Sequence, residues 1–262
     1  MTAVAIGRRE QLIALSWRSV LSIVRQPSVV VPSLVFPLFF VALGTSSFGR
    51  AVNIPGFPVV DSFLDFALAG SVVQGVLFGS VTSATALATD IETGFFDRLL
   101  ATPSTRAGIL VGRLAGAMAY GLAHTVFFTL VLFPFGLSIK SGPIGLLAMM
   151  IGGLLTALAV GSVMSTMAIR TGSSEAVQGS FPLIFILLFF SSAFFPRQTM
   201  SGVYRYIANV NPISYLVEGF RSLTIESLTL QAVAQTILIP ALIAVGGLAL
   251  SLRSLRRRLA AS

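Results

Sequence analysis

Residues 143–169, PIGLLAMMIGGLLTALAVGSVMSTMAI, contain no charged side chain. A helix of that length is longer than the roughly 30 Å hydrocarbon layer of a bilayer is thick. In water it would have to be covered on every side. Further long apolar runs lie near 29–48, 64–89, 107–135, 178–196 and 230–252. Only 10% of the 262 residues are charged and mean hydropathy is +0.92, so there is too little polar surface for a soluble domain of this size. Backbone groups inside lipid must satisfy one another, which leaves helices or a closed barrel. These runs are too long and too uniformly apolar for alternating barrel strands. The expected fold is an all-α polytopic membrane protein, a single domain over residues 1–262 with six transmembrane helices.

Charge placement orients the chain. The net charge of +8 is spread singly or in small groups beside the apolar runs, with no basic face on a soluble domain. That distribution excludes a nucleic-acid partner and suits lipid headgroups. With both termini in the cytoplasm, Arg8, Arg9, Arg18, Arg25, Arg98, Arg106, Arg113, Arg170, Arg253, Arg256, Arg257 and Arg258 all fall on that side. Those are twelve of the 17 basic residues, as the positive-inside bias requires. There is no cysteine, so disulfides and thiolate metal sites are excluded, and no metal site or catalytic residue is expected. Residues 10–26 carry Glu10, Gln11, Arg18 and Arg25 and do not read as a cleavable signal peptide.

Two polar stretches interrupt the apolar pattern. Residues 9–26, REQLIALSWRSVLSIVRQ, place Ile13, Trp17, Val20, Leu21 and Val24 on one helical face, with Arg18, Ser22 and Arg25 off it. A basic amphipathic helix with a tryptophan suits the membrane surface. Residues 90–106, DIETGFFDRLLATPSTR, form a cytoplasmic loop with a short helix. Thr89 and Glu92 have capping-box spacing, although the preceding span can equally run through them. Phe95 and Leu99 share a face, with Phe96 and Leu100 beside it. Pro103 stops the helix, and Ser104 or Thr105 caps the next. Four exposed apolar side chains need a cover, from headgroups or from a partner protein.

A third stretch, residues 197–229, is too polar to cross lipid unaided. Two amphipathic helices broken at Asn211-Pro212 are expected, with Tyr204, Tyr206 and Tyr215 at the interface. Glu218 and Arg221 lie one turn apart, and a pair between them is expected.

The segment DIETGFFDRLLATPSTRAGILVGRLAG resembles the cytoplasmic loop of ABC-2 type transporter permeases, with Glu92, Gly94, Arg98, Pro103, Arg106, Gly112 and Arg113 at the matching positions. It looks most like the daunorubicin/doxorubicin-resistance exporter branch. NPISYLVEGFRSL resembles the same family at Asn211, Pro212, Tyr215, Glu218 and Arg221. The resemblance implies an interfacial helix at 9–26, a coupling helix within 90–106, and an external re-entrant helical hairpin at 197–229. It also implies that Phe95, Phe96, Leu99 and Leu100 dock into a separate ABC ATPase. No phosphate-binding Gly-x-x-x-x-Gly-Lys-Ser/Thr loop occurs in the sequence. ATP and magnesium are therefore expected on the partner, and no cofactor on this chain. The implied assembly is two ATPases and two permeases, the second a copy or a paralogue, in a bacterial plasma membrane.

The resulting expectation is an exporter of an amphiphilic drug, lipid or glycoconjugate, with Phe185, Phe189 and Phe190 as candidate lining of its path. The rivals are a secondary transporter or channel, and a membrane assembly subunit without transport. Neither an intramembrane acid nor matched broken helices support the former. His124, mid-span and without a nearby acid, reads as a structural hydrogen-bonding residue. Gly75, Gly79, Gly108, Gly112 and Gly116 read as close-packing positions within the subunit.

Overall fold

The computed structural model describes residues 8–25, 27–53, 55–102 and 105–261. Among these, eleven α-helices and no strand are found. They are α1 (Arg8–Val24), α2 (Pro27–Phe48), α3 (Phe63–Glu92), α4 (Phe95–Leu100), α5 (Arg106–Leu132), α6 (Gly142–Thr171), α7 (Ser174–Gln178), α8 (Phe181–Phe189), α9 (Gly202–Val210), α10 (Pro212–Ile225) and α11 (Leu230–Ala261). Pro103 and Ser104, one expected in the coupling segment and the other a candidate cap, lie outside the described residues.

Five helices are long and apolar enough to cross a membrane: α2, α3, α5, α6 and α11. The expected fifth span, 178–196, takes a different form. It starts in α7 and runs through α8, whose helix stops at Phe189, and then turns across residues 190–195. No Pro or Gly lies between Phe189 and Phe195 to mark that stop, and its cause is found in α10, described below.

Helix α3 is the centre of the bundle and is buried along nearly its whole length. Its first turn is closed by a capping box between Ser62 and Asp65. The Asp65 carboxylate also accepts from the Ser138 amide at 2.8 Å, just before α6. At its other end α3 runs through Thr89, and Glu92 accepts from the Ser174 amide at 2.6 Å, just after α6. Helices α3 and α6 thus run side by side in the same direction, tied at both ends.

The glycines set the packing. A Cβ on Gly112 or Gly116 would press on Leu15 or Ser19, so α1 lies along this stripe of α5. Ser19 Oγ donates to the Arg113 carbonyl at 2.5 Å across that contact. On α3, Gly75 and Gly79 open a groove filled by His124 and Tyr120 of α5. Gly108 faces only its own cap, Thr105. His124 differs from expectation. Its ring stacks on Phe128 at 4.5 Å between centroids, and packing rather than a hydrogen bond of normal geometry holds it. Tyr120 meets Ser33 of α2 at 2.6 Å.

Helix α11 continues past the apolar run to include the four tail arginines. Arg258 donates to the Ile169 carbonyl at 3.3 Å, and Arg170 Nε to Ser254 at 3.1 Å. Cations placed there complement the carbonyl-rich end of α6.

Candidate functional site

One end of the bundle gathers α1, α4, α7 and the ends of α3 and α5. Gly94 turns the chain between α3 and α4 with φ +68°, a conformation that glycine adopts without penalty. A Cβ there would touch nothing, so the requirement is backbone shape rather than space. The α4 face then behaves differently from expectation. Phe96 is fully buried in this chain's own core, and Leu99 and Leu100 pack against the same core. Phe95 is half-buried under the Arg18 guanidinium, 4.0 Å from its ring centroid. The bundle covers Phe96 completely and Phe95, Leu99 and Leu100 in part. What α4 presents outward is polar: Asp97 and Arg98, with Glu92 beside them.

Above α4 sits a charged triad from three helices. Asp90 of α3 accepts from Arg113 of α5 at 2.9 Å and from Arg18 of α1 at 3.4 Å. Arg113 is only 5% exposed, and its Nε has no partner. Asp90 and Arg18 were not singled out from sequence. Their signal is that Asp90 is the first acid after the long run of α3, with Arg18 one helical position from Trp17 on the surface helix.

The triad forms the floor of a cavity of about 710 Å³ between α1, α2, α3, α5 and α8. Its exposed wall is mostly apolar, with Phe36, Phe78, Phe181 and Phe185 around it, and Ser22, Ser33, Thr82, Thr85, Thr89 and Gln178 add polar groups. Phe185 stacks on Phe78 at 5.6 Å and meets Phe36 at the same distance. A second cavity of about 250 Å³ lies further along, lined by Phe40, Phe66, Phe189, Phe194 and the buried Gln74 among others. The two cavities adjoin at ring contacts, Phe36 with Phe40 at 5.1 Å and Phe185 with Phe189 at 5.3 Å. Two of the three sequence-chosen phenylalanines therefore line cavities. Phe190 turns away and packs on Tyr204 at 5.2 Å.

Helix α10 accounts for the stop in α8. Its cap residue Asn211 donates to the carbonyls of Leu187 at 2.6 Å and Phe190 at 3.0 Å. Arg221, fully inside the bundle, donates to the Ser192 carbonyl at 2.8 Å and the Ala193 carbonyl at 3.3 Å. Its guanidinium also lies 3.8 Å from the Phe66 ring centroid. Ser214 Oγ accepts from the Ser192 amide at 3.1 Å, and Tyr204 donates to the Phe189 carbonyl. Side chains thus meet several of the backbone groups freed in the turn, as non-helical backbone in apolar surroundings requires. The break at Asn211-Pro212 falls where expected, and α10 is packed inside the bundle. The expected pair of Glu218 with Arg221 is replaced. Glu218 binds Arg197, from the turn after α8, while Arg221 serves the carbonyls. Tyr215 lies beside that pair, with the Arg197 guanidinium 4.8 Å from its ring.

Residues 10–225 match the family model of the ABC-2 type transporter. The chain belongs to the ABC-2 type transporter family. Such permeases are membrane subunits rather than enzymes, and they work with separate ABC ATPase subunits. Among its relatives is the daunorubicin resistance ABC transporter permease protein DrrB1 of Streptomyces coeruleorubidus, 29% identical over 79% of this chain and 72% of the relative. A putative transport permease, ycf38, of Pyropia yezoensis is 29% identical over 82% of this chain and 74% of its own length. The ycf38 protein of Cyanophora paradoxa is 26% identical over 82% and 74%. This ABC-2 permease is a multi-pass membrane protein whose α4, triad and cavities share one side of the bundle.

Proposed function

We propose that this permease carries an amphiphilic molecule out of a bacterial cytoplasm, driven by two ABC ATPase subunits and completed by a second permease, a copy or a paralogue. The observation that carries this reading is the large aromatic cavity whose charged floor adjoins the α4 segment. A mainly apolar chamber of this size with a set of polar and charged groups is the usual form of a small-molecule site. The resemblance to a daunorubicin resistance permease supports a drug-like or lipid-like cargo. The basic residues favour both termini and α4 in the cytoplasm. In this reading α7, α8 and the turn at 190–195 make the sixth crossing, and α9 with α10 make a re-entrant hairpin from outside.

The coupling surface for the ATPase is then the exposed polar face of Glu92, Asp97 and Arg98. Phe96 and its apolar neighbours hold that face to the bundle, so that a push on it reaches α3 and α1. Inverted vesicles holding the permease and the ATPase encoded beside it test the whole proposal. Uptake of an amphiphile should require ATP and stop with a hydrolysis-dead ATPase. Uptake driven by an ion gradient without any ATPase would overturn it and restore the secondary-transporter reading.

A further inference from the structure

The larger cavity carries an unbalanced charge. Two guanidinium groups, Arg18 and Arg113, share one carboxylate, Asp90, and among the described residues no other charged side chain lines the chamber. The surplus is positive. Arg113 Nε is buried without a partner, and so is Thr85 Oγ1 on the same wall. A buried donor left open is costly, and a buried charge more so. A ligand bearing an anionic oxygen relieves both at once. A cationic ligand would meet the surplus charge at low dielectric, where repulsion is strong. A neutral one would leave the charge uncompensated. Away from the triad the wall carries the rings of Phe36, Phe78, Phe181 and Phe185, which take an apolar tail, among hydroxyl groups such as Ser33 and Thr82.

We propose that this chamber selects an anionic amphiphile, with a phosphate-type or carboxylate headgroup on Arg113 and Arg18 and its tail among Phe36, Phe78 and Phe185. Arg18 is the movable member, since its contacts to Asp90 are long, at 3.4 Å, and its side chain is half-exposed. This inference rests on the reading of the cavity as the cargo chamber, but it concerns binding alone and needs no ATPase.

The test uses purified full-length permease in phosphatidylcholine nanodiscs, with empty nanodiscs subtracted. A fluorescent dodecanoate is bound and then displaced by dodecyl phosphate, dodecyltrimethylammonium, dodecyl glucoside or inorganic phosphate. Dodecyl phosphate should displace at a concentration about tenfold lower than the cationic or neutral probe, the size of one charge-assisted bond. Inorganic phosphate should not displace. Arg18→Gln, which leaves Arg113 and Asp90 balanced, should reduce the preference, and Arg18→Gln with Arg113→Gln and Asp90→Asn should abolish it. The triple variant leaves no buried charge on the floor, and its melting temperature checks that it folds. Equal displacement by the three dodecyl probes would overturn the charge assignment and leave the chamber standing. So would a preference that survives these variants. Displacement by inorganic phosphate as effective as by dodecyl phosphate would overturn the amphiphile in favour of a free anion. Absence of saturable binding by any tail-bearing probe would remove the chamber itself.

Discussion

Single residues in this permease are held by shape as much as by chemistry. Gly75 is required because the His124 ring occupies the place of its Cβ. Gly75→Ala should lower stability by about 1–3 kcal/mol, the usual cost of overpacking. Adding His124→Ala should recover part of that loss in a detergent melting experiment, whereas two independent sites would give additive losses. The Arg197–Glu218 pair is partly buried and reaches across 21 positions of sequence. Reversing either charge should destabilise the segment, and reversing both should restore about 1 kcal/mol relative to the sum. The same design at Glu218 and Arg221 should show no such rescue. Sequence proximity suggested that second pair. It was misleading because the open carbonyls of the turn at 190–195, invisible in a linear sequence, claim Arg221.

At the scale of elements, α4 changes how the coupling segment is tested. Phe96 is 0% exposed, so Phe96→Ala removes a core side chain. Such truncations commonly cost about 3–5 kcal/mol, and the expected outcome is a lower melting temperature with loss of the ATPase only as a consequence. Asp97→Lys and Arg98→Glu, on the exposed face, should leave the melting temperature within a degree or two of the parent's, while weakening ATPase co-purification. If Phe96→Ala kept its stability yet released the ATPase, the docking of α4 onto its own bundle would be wrong. The amphipathic pattern of residues 95–100 was legible, because periodicity is local. What covers the apolar face was not, since a bundle, a partner and a lipid surface ask for the same pattern. Residues 9–26 show the complementary case. There Ile13, Trp17 and Val24 do stay exposed, and the small Ser19 faces α5.

Across the whole molecule, five long spans and their order were readable from hydropathy, which needs no tertiary information. The short form of the segment at 178–196 was not, because its stop is dictated by Asn211 and Arg221 some twenty to thirty positions later. The proposed orientation has a direct check in a chain without cysteine. A cysteine at Val203, on the exposed side of α9, should react with an impermeant thiol reagent in intact cells, and one at Thr102, after α4, should react only after permeabilisation. The reverse pattern would invert the topology. The ties at Asp65–Ser138 and Glu92–Ser174 restrict how any switch between states proceeds. A slide of α3 along α6 by one helical turn, about 5.4 Å, carries both bonds beyond use. A roll of the two helices about their common axis stretches neither. The pair is therefore expected to turn like a hinge pin rather than to slide like a piston, with the cavity beside α3 opening by rotation against α2 and α8.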